Sequence, residues 1–419
     1  MLKFEDRSQS HMKRNPFSPC LLLLLATLLS LLLSTAHAAS VKFFIPSHPV
    51  TIALEKELQA IVTGYNALNP ASTVELVRRG SEYSNLRDSL SAQMAGQPPD
   101  LFVIELSETR ALENAKLSLR IPEELRASLT REMPDAILKS AKESGGKLLV
   151  LPFLIYQPVI AVDQEMLFRY DWNPHQLPKN TKELLRLLQF LDQKMPPERD
   201  GPLLAIPTQG ARGLQMLEAL YGGELWTREP GGVRAERKAL SLISQLRSWS
   251  DELKLTSLGM TSEQSIEHFI ARRSPILLTT SDTLSFIGQQ TQFRWSAIPV
   301  QNNSPALYSG GHLALANARP ETLAFVRYLY SADVARRWVS VSGARALKPE
   351  WRSVLEPVHK RMAALARTKP GRVRGADPEI MRIRSEWIQT LPELLGSFNE
   401  RVPPEAALTG LEQRLSHPR

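Results

Sequence analysis

Among residue types that do chemistry, this 419-residue sequence offers histidines, carboxylates, arginines, hydroxyls and a single cysteine, Cys20. The histidines beyond residue 40 (His48, His175, His268, His312, His359 and His417) are scattered, and none has the spacing of metal ligands. No G-x-S-x-G elbow, H-E-x-x-H pair, phosphate loop or Cys–His pair occurs. Paired carboxylates for glycoside cleavage stay open, though no motif points to them. What the sequence does provide is polar residues at the ends of apolar runs. That arrangement grips a small molecule by hydrogen bonds in an otherwise apolar pocket.

Tyr156 and Gln157 are the leading case. They interrupt the apolar stretch from Gly146 to Leu167 at its centre. The stretch has no helical period, and its prolines at 152 and 158 forbid an uninterrupted helix, so it reads as a buried strand. We expect this strand to leave one lobe, cross a cleft and enter another, with Tyr156 and Gln157 facing the cleft. An ordinary core strand with a hydrogen-bonded Tyr competes with that reading.

The elements that must position such residues follow from the periodicity. Strands are expected from 41 to 45, 74 to 77 and 100 to 106, with helices from 51 to 66 and 85 to 94 between them. This alternation implies an α/β layer of parallel strands, whose carboxyl ends collect ligands. His48, Ser81, Tyr83 and Glu105 stand at those ends. Further on, strands are expected at 202 to 208, 275 to 280 and 313 to 316, and helices at 182 to 191, 214 to 221, 235 to 249, 263 to 271, 322 to 330 and 334 to 341. Ser281 ends the polar Thr279-Thr280-Ser281 tip, and Gly310 and Gly311 precede a strand, where backbone N–H groups can approach a ligand. Trp226, in a glycine-rich turn, is either a stacking platform or a packed core residue. Ser81 as a helix cap and Gly310–Gly311 as a tight turn are the plain structural alternatives.

The length implies two domains, or one split into two lobes. The net charge of +8 is spread without a basic, aromatic-laced stripe, which argues against nucleic acid. Lys3, Arg7, Lys13 and Arg14 precede the leucine-rich run from 21 to 33, and Ala36-x-Ala38 follows. This is the pattern of a signal peptide, expected to span 1–38 and to send the product to the periplasm. Cys20 precedes the run, so the exported chain would hold no disulfide or reactive thiol. No cofactor is indicated.

Five passages, taken together and in order, resemble the extracellular solute-binding proteins of ABC importers, in the carbohydrate and glycerol-3-phosphate-binding group. They are Tyr65-Asn-Ala-Leu-Asn-Pro70; Gly80-Ser-Glu-Tyr83 with Gly96-Gln-Pro-Pro-Asp100; Pro152 to Asp163; Ser309-Gly310-Gly311 with Ala324 to Leu329; and Trp338 with Ser342-Gly343. The resemblance implies a periplasmic-binding-protein-like α/β fold. One lobe would hold 39–152 and 309–348, the other 153–308 and 349–419, joined by a multi-crossing hinge with the ligand between them. It further implies a monomer that captures a sugar, polyol or glycerol-phosphate-like solute and delivers it to ABC permease subunits in the membrane.

The resemblance carries ligand contact to His48, Tyr83, Glu105, Ser281, Gly310, Gly311 and Arg374. Arg374 and Arg345 have planar forks suited to phosphate or carboxylate. The chain departs from the group where aromatics are expected, at Ser47 and at the stretch Thr208 to Arg212, so two stacking faces are missing. A ligand sensor coupled to a membrane histidine kinase would use the same fold, and a secreted hydrolase is the third reading.

Overall fold

The computed structural model describes the chain apart from residues 1–38, 47–51, 79–90, 92–94, 144, 230–231, 301–306, 345, 352–371, 374–377, 398 and 417–419. Two sheets organise it, each with its own hydrophobic core. The first is built around β1 (Ala39–Ile45), buried through Val41, Phe43, Phe44 and Ile45. Helix α1 (Ile52–Leu68) covers it with Leu54, Leu58, Ile61, Val62 and Tyr65, a single face at helical spacing. The chain returns as β2 (Ser72–Arg78), parallel to β1 from Ala39↔Ser72 to Ile45↔Arg78.

The Tyr65-to-Pro70 passage makes this return. The Asn66 side chain donates to the Val74 carbonyl (2.9 Å) and accepts from the Val74 amide (2.7 Å), clamping the helix end to the strand. Strand β3 (Leu101–Glu105) lies parallel on the other side of β1. Asp100, just before it, accepts from the Lys42 amide at 2.6 Å and pairs with Arg319 at 2.6 Å. Both of these sequence motifs therefore stitch the first sheet together.

After β3 a 3-10 turn, Leu106–Glu108, leads into α2 (Thr109–Ala115), α3 (Glu123–Leu129) and α4 (Asp135–Ser140), three short helices that the periodicity did not reveal. Then comes β4 (Leu151–Tyr156), followed after one residue by β5 (Pro158–Asp163); every residue of both strands is buried. They belong to different sheets. The expected single strand is thus two, and the passage falls at Gln157. Asp163 ends β5 and caps α5 (Gln164–Arg169), accepting from the amides of Glu165 and Met166.

The second sheet adds α6 (Thr181–Lys194), the two-residue strand β6 (Leu204–Ala205) and α7 (Gly210–Tyr221). A hairpin of β7 (Trp226–Glu229) and β8 (Gly232–Ala235) follows; the sequence suggested only a turn there. Then come α8 (Arg237–Asp251), α9 (Ser262–Ile270), β9 (Ile276–Thr280), α10 (Leu284–Gln290) and β10 (Trp295–Pro299). The strand order is β10-β5-β9-β6, with β5 antiparallel to both neighbours and β6 parallel to β9. One core cluster draws on α6, α7, α8 and this sheet; a smaller one gathers Phe269, Leu284, Ile287 and Phe293 against Val159, Ala161 and Leu277.

The chain then returns to the first sheet as β11 (Leu307–Leu315), antiparallel to β3 on one side and β4 on the other. Helices α11 (Pro320–Leu329) and α12 (Ala332–Ser342) close that core. Trp338 stands 4.6 Å from Phe153 and 5.5 Å from Trp351, ring centre to ring centre, and its indole N–H donates to the Leu329 carbonyl. Strand β12 (Arg372–Val373) extends the first sheet, and α13 (Pro378–Leu395) and α14 (Pro404–Ser416) finish the second core. Among the described residues the chain changes sides at Gln157, between β10 and β11, and between β12 and α13. Among the described residues no helix is long and apolar enough to cross a membrane.

Gly310 is the tightest point of the first sheet. Its φ is +113°, and a Cβ there would lie 1.8 Å from the Leu154 carbonyl oxygen. Gly310→Ala must displace β4 or strain the backbone. We expect a loss of about 2–3 kcal/mol in urea unfolding, with no comparable loss for Gly410→Ala, whose nearest contact is at 3.5 Å.

Candidate functional site

Strand register gathers the candidates. Gly311 is the Cα partner of Glu105, Gly310 of Ile155, and Ser309 of Tyr156. One residue beyond Tyr156, the Gln157 carbonyl accepts from the Ser281 amide (2.9 Å), and the Gln157 amide donates to Ser281 Oγ (3.3 Å). Pro158 then pairs with Thr280. Glu105, Gly310, Gly311, Tyr156, Gln157 and Ser281 therefore follow one another along a single seam where the two sheets meet. The seam lies at the carboxyl ends of β3, β4 and β9, as an α/β layer predicts. Gly343, which ends α12 in the first lobe, abuts the second: a Cβ on it would lie 1.9 Å from the Ser281 carbonyl oxygen.

His48, Ser81, Tyr83, Arg345 and Arg374 lie outside the described residues. Trp226 is buried in the second core, 6.4 Å from Trp387, which accounts for it as a packed residue. His312 is fully buried in β11, its Nε2 3.0 Å from Ser140 Oγ, and burial pushes its pKa down to about 3. It is a neutral core histidine. Among the described residues no group of three or more His, Cys, Asp or Glu side chains converges as a metal site would.

The structure adds charged residues that the sequence did not single out. Arg212, on the first turn of α7, sends two donors to the Asp282 carboxylate (2.7 and 3.2 Å) and one to Thr280 Oγ1. Burial would raise the Asp282 pKa, but the Arg212 guanidinium and the Thr280 hydroxyl outweigh it and hold the carboxyl below its ordinary range. Deeper in, Arg384 of α13 bonds both oxygens of Glu218 on α7 (3.2 and 3.1 Å), and both side chains are buried. Burial lowers the Arg384 pKa, opposed by Glu105 and Glu224. Arg384 thus acts across the seam on Glu105 of the other lobe. Thr208, where an aromatic was expected, is buried; its hydroxyl ties the Gly259 amide to the Leu395 carbonyl.

These pairs carry little sequence signal, because their members are 70 and 166 residues apart. Glu108 had a local signal, its spacing of three from Glu105. It is buried, and its carboxyl accepts from the Glu105 amide at 3.0 Å. Burial, then repulsion from Glu105, pushes its pKa up from 4.5 to about 8. Of the six residues along the seam, Glu105 is partly exposed and can accept hydrogen bonds, whereas Tyr156, Gln157, Ser281, Gly310 and Gly311 are buried; the Thr280 hydroxyl is bonded to Arg212 and Asp282, and Ser281 Oγ to the Gln157 amide.

The raised Glu108 pKa has a defined sign. The folded chain holds a proton that the unfolded chain releases above about pH 4.5. Stability from this group is therefore full below that pH and is lost as pH rises to about 8. The loss is on the order of a few kcal/mol. Glu108→Gln removes it, so urea midpoints should favour the variant increasingly from pH 5 to pH 8.

No family model matches the chain, and no curated protein matches it. Solved structures do. An ABC transporter solute-binding protein from Thermotoga lettingae bound to α-D-tagatose aligns at TM-score 0.69 and 16% identity, covering 90% of this chain and 99% of that one. UgpB from Mycobacterium tuberculosis with glycerophosphocholine aligns at 0.73 and 14%, covering 90% and 97%. The GacH receptor of Streptomyces glaucescens, solved unliganded and with acarbose, aligns at 0.73 and 15%, covering 90% and 97%. At such identities the likeness speaks to architecture: the chain has the two-lobed α/β fold of ABC-transporter solute-binding proteins.

Proposed function

We propose that this chain is the solute-binding component of an ABC importer. It captures a small polar solute of the sugar or polyol class between its lobes and hands it to permease subunits in the membrane. The observation that supports this reading is the seam itself: two separately cored lobes meet along a line that runs through Glu105, Gly310, Gly311, Tyr156, Gln157 and Ser281. A site split between two bodies can be closed by rotation about the passages, the hinge mechanism of binding proteins. The ligands named for the structural neighbours, tagatose, acarbose and glycerophosphocholine, are rich in oxygen, and the partly exposed carboxylate of Glu105 can accept from ligand hydroxyls. A leader over residues 1–38 would deliver the protein to the periplasm, and the solute would bind there.

A thermal-shift panel of sugars and polyols tests this. A ligand that binds only the folded state stabilises it by about 2.7 kcal/mol at a hundredfold excess over Kd, enough to raise the melting temperature visibly. Small-angle scattering with the best hit should then show a smaller radius of gyration. A saturating ligand that leaves the radius unchanged contradicts capture by closure.

A further inference from the structure

At Gly343 the backbone of the first lobe meets that of the second with no side chain between them. Gly343 ends α12 in the left-handed region, at φ +69°. A Cβ there would lie 1.9 Å from the Ser281 carbonyl oxygen and 3.1 Å from the Asp282 Cα. Non-bonded heavy atoms essentially never come within 3.0 Å of a Cβ, so any side chain at 343 requires the two backbones to separate by about 1 Å.

Neither backbone is placed to give way alone. In the second lobe Ser281 is buried, and its amide and hydroxyl are both bonded to Gln157. Its carbonyl accepts from the Leu284 amide. Asp282 is held by the Arg212 fork, and the Thr283 hydroxyl donates to the Thr280 carbonyl at 2.9 Å. In the first lobe, Trp338 and Val339 fix α12 in its core. Ala344, the next residue after Gly343, is buried in that same core, and its amide donates to Ser342 Oγ at 3.1 Å. Interiors packed in this way transmit a displacement rather than absorb it. The compliant coordinate is the placement of one lobe against the other, because their cores are separate. Helices α1 and α10 meet across the same boundary: α1 packs on α12, and α10 begins at Leu284, just past Ser281.

We propose that Gly343 is a positioning residue of the hinge: its missing side chain sets the angle at which the ligand-free lobes rest, and a Cβ there wedges α1 away from α10. The inference rests on the two cores moving as separate bodies, as the solute-binding reading requires, but its test needs no solute.

Double electron–electron resonance on the ligand-free protein measures the wedge. The one cysteine of the chain is Cys20, so in a Cys20→Ser background spin labels go only to introduced sites. Lys56→Cys on α1 and Gln290→Cys on α10 are both exposed positions. Gly343→Ala and Gly343→Asn should each lengthen the mean label distance by at least about 3 Å, because small shifts beside a hinge are amplified away from it. Asn tolerates left-handed backbone better than Ala, so a shift common to both comes from the Cβ and not from strain. Gly146→Ala is the control: its φ is +79°, and nothing lies within 4 Å of a Cβ there. It should cost stability through backbone strain and leave the distance unchanged. Melting curves establish which variants are folded. The proposal is overturned if folded Gly343 variants keep the parent distance, or if Gly146→Ala lengthens it as much; in both cases the solute-binding reading stands. It is also overturned if both Gly343 variants lose cooperative unfolding while Gly146→Ala keeps it, since the contact then belongs to one packed body, and capture by closure falls with it. A solute panel without a binder removes the solute-binding reading and leaves the wedge distances as they are.

Discussion

A chain that leaves one sheet and enters another must carry, at the passage, backbone groups that belong to neither ladder. Buried amides and carbonyls need partners, and Gln157 is buried between two fully buried strands. Its partner is Ser281, which supplies an amide to the Gln157 carbonyl and a hydroxyl to the Gln157 amide. That exchange pins the tip of β9 against the end of β4. The rest of the seam follows by register: Thr280 beside Pro158, Tyr156 beside Ser309, Gly311 beside Glu105. A hydrogen-bonding requirement at one residue thus sits where residues from five strands meet.

Charge follows the same logic of burial. Near the seam, carboxylates are neutralised in two ways: Asp282 and Glu218 by guanidinium forks, and Glu108 by keeping its proton. Each removes a charge that would be costly in a poorly solvated place. Glu105, partly exposed, forms no ion pair among the described residues. The second lobe carries both paired arginines and the first lobe carries Glu105, on which Arg384 acts across the seam.

Several passages that resemble the solute-binding family prove to be about folding. Asn66 clamps α1 to β2, and Asp100 joins β1 to Arg319, both far from ligand chemistry in purpose. Trp338 holds an aromatic cluster with Phe153 and Trp351. Pro349–Trp351 packs there too, although the resemblance placed residues from 349 onward in the second lobe. Such motifs identify an architecture because they solve its packing problems. They say less about what the architecture holds, which agrees with structural neighbours of 12–16% identity whose named ligands differ from one another.

The α/β character was legible in sequence, because alternating strand and helix periods are local and each burial face repeats within a few residues. So was the passage at Tyr156 and Gln157, where two polar residues break an apolar run flanked by prolines. The short helices after β3 and the hairpin at Trp226 were not legible, since each is too brief to establish a period; the strand expected at 202 to 208 is present but only two residues long, Leu204–Ala205. The partners of the charges lay furthest from reach. Glu218 meets Arg384, and Arg212 meets Asp282, only because two sheets end on the same line. Pairings across 70 and 166 residues leave no local pattern. Sequence alone showed the alternation of strands and helices and the break at Tyr156 and Gln157; tertiary structure decided the short elements and which charges are cancelled at the seam, because only folding brings distant carboxylates and guanidiniums out of water together.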